Sequence, residues 1–159
     1  MDVLIPSSIS DDTLRNKTKP NARVTKSDGS RYFGKVPKLN DSFPEGQIIL
    51  KLGKRGFFNQ TSREVQGAFG LRHIWDKHRR EINATTVQEV VVFVESILKN
   101  GADVLIDDNK HPNKPLVVES SIGMVILELK RPQDEDAYYS IITAYERTSH
   151  PGTLMGNII

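Results

Sequence analysis

From Thr86 onward the chain carries apolar and polar positions in two distinct periods. Val87, Val90, Val91, Val94, Ile97 and Leu98 recur at helical spacing and draw one apolar stripe. Thr86, with Glu89 three residues on, has the spacing of a capping box, and Gly101 stands just past the end, where a left-handed residue is wanted. The stripe is mostly β-branched, so burial rather than intrinsic propensity must hold this helix. Beyond it the period shortens. Residues 102–106, 116–119, 124–129 and 138–147 read as strands, separated by turns at 107–109, 120–123 and the charged 131–136. The short separations predict antiparallel pairing of neighbours. The nearly continuous apolar run at 124–129 predicts a central strand covered on both faces.

Upstream the pattern is weaker. Residues 47–52 predict a strand opened by Pro44, Glu45 and Gly46 and closed by Gly53. Gly67 and Gly70 bracket Ala68 and Phe69 and predict a tight turn into a helix over 71–81. Ile74, Trp75 and Ile82 offer that helix a buried side, and Arg79, Arg80 and Glu81 a polar one. Residues 1–40 have few apolar positions and no sustained period, which predicts a flexible arm or linker with one short strand near 31–33. Residues 41–159 would then form the domain, with no firm element over 149–159. The expected architecture is α+β: N-terminal helices packed on one face of a four-stranded antiparallel sheet.

Composition narrows the function classes. The length, 159 residues, suits one domain, and 37% hydrophobic residues suffice for a modest core. Lys plus Arg, 22, nearly balances Asp plus Glu, 20, which neither demands nor excludes a nucleic-acid partner. The absence of cysteine excludes disulfides, thiolate metal sites and a Cys nucleophile. No apolar run approaches the ~18–20 residues of a membrane span, and no signal peptide opens the chain, so export would depend on something outside it.

The candidate chemistry lies on the short helix and the last strand. His73 and His78 are five residues apart, roughly 140° around a helix, which argues against a shared metal ion. Lys77 beside His78 offers a cation for a phosphate oxygen next to a side chain suited to proton transfer. The simpler alternative is one packing and one surface histidine. Alternation on the last strand places Thr143, Tyr145 and Arg147 on one face, and Tyr138, Ile142 and Ala144 on the other, toward the long helix. Lys51, Lys54 and Arg55 cluster near the end of the first strand, most simply as a solvated strand end. Together, the two groups supply what RNA cleavage requires: a base for the 2′-hydroxyl, a cation for the phosphorane and an acid for the leaving oxygen.

The run from Gly67 to His78 (Gly-Ala-Phe-Gly-Leu-Arg-His-Ile-Trp-Asp-Lys-His), followed by a helix, strands and a terminal Thr143-Ala144-Tyr145, resembles the barnase/EndoU/colicin/RelE-like superfamily of toxin nucleases. The likeness spans roughly residues 47–147. It is nearest to colicin D-like, phage-associated and contact-dependent inhibition toxin domains. It implies a metal-independent, cofactor-free ribonuclease acting on tRNA. In this family such a domain is commonly the C-terminal part of a larger delivered protein, works in the cytoplasm of a target bacterium, and is neutralised by a cognate immunity protein. The resemblance makes Lys77 and His78 the helical dyad, with His78 catalytic and His73 positioning. Thr143 stands where serine is usual, and Tyr145 takes the aromatic position. Arg147, Arg72 and Lys51 would contact phosphates. A monomer, or a 1:1 complex with the immunity protein, is expected. The rival readings are a non-catalytic RNA- or protein-binding module and a phage-particle structural domain. His111 and His150 read as surface or packing histidines.

Overall fold

The computed structural model describes residues 2–107, 115–148 and 152–159. His111 and His150, with the expected turn residues Asp108 and Asn109, lie outside them. In chain order the described elements are β1 (Val3–Leu4), α1 (Asp11–Arg15), β2 (Arg23–Val24), β3 (Lys35–Val36), β4 (Gly46–Lys51), β5 (Phe57–Asn59) and β6 (Glu64–Gln66). Then come α2 (Gly70–His78), α3 (Val87–Ile97), β7 (Asp103–Ile106), β8 (Leu116–Glu119), β9 (Met124–Lys130), β10 (Tyr138–Tyr145) and β11 (Thr153–Asn157). No helix among the described residues is long and apolar enough to cross a membrane.

The four-stranded antiparallel sheet with helices on one face and a flexible arm is not what forms. Among the described residues the main sheet has nine strands, mixed in direction, in the order β1-β2-β4-β10-β9-β8-β7-β11, with β3 also on β4. Strands β7 to β10 pair antiparallel in sequence order, but they are only its middle. β11 extends it antiparallel beyond β7, and β4 joins β10 in parallel. The expectation fell short because β1, β2 and β3 are two residues long, too short to show a period. A parallel pair between distant segments also leaves no hairpin signal.

Residues 2–40 belong to this sheet rather than to an arm. Leu14, Val24, Phe33 and Val36 are buried in the common core. The Phe33 amide donates to Ile48 (2.9 Å), the Leu52 amide to Ala22 (2.7 Å) and the Gly53 amide to Pro20 (2.8 Å), which ties the segment along β4. Its many polar residues close their own turns, as where the Asp28 carboxylate accepts the Ser30 amide and hydroxyl. With Ile9 and Ala22, six apolar anchors therefore suffice where a periodic stripe is missing.

α3 forms as its pattern predicts. The Thr86 hydroxyl accepts the Glu89 amide (3.2 Å), and the Glu89 carboxylate accepts the Thr85 hydroxyl (2.9 Å). Val87, Val90, Val91, Val94 and Ile97 are all buried against one face of the sheet, beside Val125, Leu127, Tyr139, Ile141 and Ala144.

The opposite face takes its composition from a bulge in β10. Ile141 pairs with Leu127, yet Thr143 pairs with Ile126, so Ile142 is the extra residue. Parity changes there. Tyr139, Ile141 and Ala144 point to the core, whereas Ser140, Thr143 and Tyr145 belong to the other face. The expected core-side placement of Tyr138 and Ile142 fails for this reason, since strict alternation cannot register an inserted residue. β9 is likewise covered on one face only at its far end, where Glu128 is exposed.

Candidate active site at the end of α2

β4 and β10 are paired only over Gln47–Ile49 and Tyr138–Ser140, and α2 packs chiefly against β10, secondarily against β4. Close backbone approach fixes its start. Gly53 and Gly70 both adopt positive φ, and a Cβ on Gly53 would lie 1.8 Å from the Phe69 carbonyl oxygen. A Cβ on Gly70 would lie 2.5 Å from the Lys51 oxygen. Only glycine fits either position. Leu71 and Ile74 then seat the helix in the core.

The far end of α2 gathers the chemistry. The His73 and His78 rings meet edge to face, with centroids 5.6 Å apart. Helical angle alone predicted that they would not share a face. Side chains on a helix lean toward its N-terminus, however, so the His78 ring reaches back over the preceding turn. The His78 ring also lies over Tyr145, centroids 5.3 Å apart and tilted by 35°. The Arg147 guanidinium sits 5.5 Å from the Tyr145 ring centre. His73, His78, Tyr145 and Arg147 are thus brought into one continuous row.

One further member was missed by sequence reasoning. The helix ends at His78 rather than running to residue 81, and the chain turns through Asn83 at positive φ. Within the turn that follows the helix, the Glu81 carboxylate bonds the His78 Nδ1. The second Glu81 oxygen accepts the Glu146 amide at 3.3 Å, which fastens the carboxylate to the end of β10. The i, i+3 spacing was the available signal, but it was assigned to a plain polar helix face. An ionised carboxylate only accepts, so Nδ1 carries the proton in neutral His78 and Nε2 is left as the acceptor.

The remaining candidates divide. Burial, followed by the nearby His78 and Lys77 charges, lowers the His73 pKa to about 4, so its imidazole is neutral at pH 7 and suited to positioning rather than taking up protons. Thr143 shares the Tyr145 face, and its buried hydroxyl has no hydrogen-bond partner. Lys77 is exposed on the helix. Arg72 is not available to a phosphate: it is 1% exposed and donates to the carbonyls of Thr13 (2.9 Å) and Gly53 (3.0 Å) and to the Asn16 side chain (2.7 Å). It acts as a strut joining α1, β4 and α2. Lys51 is buried against the face of Tyr138, 5.1 Å from the ring centre, away from the histidine row. No group of three or more ligating side chains among the described residues is placed to hold a metal ion.

No family model, curated protein or solved structure matches this chain.

Proposed function

We propose that the protein is an RNA endonuclease that uses the substrate's own 2′-hydroxyl as nucleophile, and that it serves as a tRNA-directed toxin domain held in check by an immunity protein. The observation that carries the catalytic part is the row from Glu81 through His78 to Tyr145 and Arg147: an oriented imidazole, a phenol and a guanidinium at the C-terminal end of β10. In this reading His78 Nε2 takes the 2′-hydroxyl proton while Glu81 holds the tautomer. The 2′-oxygen attacks the adjacent phosphorus, and the bond to the 5′-oxygen breaks to leave a 2′,3′-cyclic phosphate. Arg147 and the exposed Lys77 neutralise the phosphorane, the unpartnered Thr143 hydroxyl donates to a phosphate oxygen, and Tyr145 stacks on a base or protonates the leaving oxygen. No protein nucleophile is needed, which accords with a chain lacking cysteine. The toxin role and the immunity partner rest on the resemblance of the Gly67–His78 and Thr143–Tyr145 segments alone.

The test is to incubate total bacterial RNA with the wild type and with His78→Ala and Glu81→Gln variants. Discrete fragments ending in cyclic phosphate are expected from the wild type. His78→Ala should cut ~10²- to 10⁴-fold more slowly, and Glu81→Gln should fall between them. Equal cleavage by His78→Ala, or intact RNA in every lane, would refute the reading.

A further inference from the structure

We infer that the cleft beside the histidine row is a phosphate subsite, built to hold a second backbone phosphate of the same RNA strand. The inference rests on the nuclease reading for the identity of the strand, though not for the presence of an anion site. On the face opposite the core, a cavity of about 550 Å³ opens between β4, β10, β9 and the approach to α2. Lys51, Lys54, Lys130, Ser140 and Ile142 line it, and Glu128 stands at its wall.

Two of these side chains lack the partners that their burial calls for. Lys51 is only 8% exposed, and no carboxylate among the described residues pairs with it; its ammonium lies 5.1 Å from the centre of the Tyr138 ring. A buried ammonium is ordinarily paired, because desolvation of a lone charge is costly. Ser140 is 1% exposed, and its hydroxyl has no hydrogen-bond partner. Glu128 does not supply the missing anion, because it is engaged by Lys130 at 2.8 Å. Cancelling that pair leaves the charges of Lys51 and Lys54 facing the cavity.

The third wall points the same way. Gly67, Ala68 and Phe69 lead into the nine-residue α2, whose first turn has no side-chain cap, so the positive end of its dipole adjoins the cleft. The Lys54 amide and carbonyl are both bonded to Phe69, which holds that lysine at the helix start.

Position identifies the occupant. From Ile142 to Tyr145 is three residues along β10, roughly 10 Å at the usual strand rise. A strand cut beside His78 therefore runs its neighbouring phosphates over Lys51 and Lys54. Neither lysine reaches the reacting atoms; they grip the substrate.

The experiment titrates inorganic phosphate, a nucleoside monophosphate and a single-stranded oligoribonucleotide, each at matched ionic strength, against the full chain by calorimetry and phosphorus NMR. The Lys51→Met, Lys51→Arg, Ser140→Ala and His78→Ala variants are compared, each first checked for an unchanged melting transition. The wild type and His78→Ala should bind inorganic phosphate alike, Lys51→Met about tenfold more weakly, and Lys51→Arg nearly as well as wild type. On the oligoribonucleotide, Lys51→Met should raise KM with kcat unchanged. Absence of phosphate binding by wild type, or equal binding by Lys51→Met, overturns the subsite. If phosphate binds but oligoribonucleotide affinity is indifferent to Lys51, the occupant is a free phosphate and the RNA assignment fails. Cleavage by His78→Ala at the wild-type rate overturns the nuclease reading while leaving the phosphate titration to be judged separately.

Discussion

α2 and α3 stand side by side over one sheet, yet they are held in different ways. α3 is a periodic helix with a side-chain cap and five buried apolar residues, and its outer positions carry nothing that the candidate chemistry uses. α2 is shorter, lacks a side-chain cap, needs glycine at its entrance, and buries an arginine among its apolar residues. Its last turn carries Lys77 and His78. In α3 the cap and the apolar period agree with the fold, and burial makes up for the modest propensity of its valines. In α2 the local rules are broken where the candidate site is built, and distant contacts from α1, β4 and β10 compensate.

That contrast can be broken most forcefully at Arg72. Replacing it with Met removes three hydrogen bonds at once and leaves the Thr13 and Gly53 carbonyls without their donor. A loss of about 3 kcal/mol is expected in denaturant unfolding. Cleavage per folded molecule should be retained at low temperature. Loss of activity with stability intact would instead place Arg72 at the substrate.

A smaller effect comes from acid. His73 is neutral in the fold down to about pH 4, whereas in the unfolded chain it protonates near 6.5. Above that range it is neutral in both states and contributes no pH dependence. As pH falls through the window the unfolded chain takes up the proton first, so stability declines until about pH 4 and no further. The loss should be roughly 2 kcal/mol after allowing for partial solvent screening. A His73→Gln variant should lack this component, measured as the difference between the two stability–pH curves. Superimposable curves would contradict the buried neutral histidine.

The smallest effect belongs to α3. Thr86→Ala should cost about 1 kcal/mol, the usual worth of an N-cap, with cleavage per folded molecule unchanged. A change in activity as large as that in stability would show that α3 is coupled to the site, and the contrast between the helices would narrow.

Legibility in the sequence follows the range of the interactions. α3, with its cap, and β4 and β7 to β10 were set by periodicities and turn signals carried within a few residues, and so could be read directly. The same holds for the presence of His73, His78, Thr143, Tyr145 and Arg147 on two neighbouring elements. The parallel pairing of β4 with β10, the incorporation of residues 2–40 and the addition of β11 were decided only in three dimensions. They depend on matching segments far apart in the chain, for which no local pattern exists. The bulge at Ile142 belongs to the same class: one inserted residue reverses side-chain parity, and only the register against β9 reveals it. Tertiary structure also decided which cations are free. Arg72 and Lys51 look equivalent in sequence, but the first is surrounded by carbonyls and the second by an aromatic face and an open cleft. A side chain's charge is written in its residue type, whereas its availability depends on what the fold packs around it.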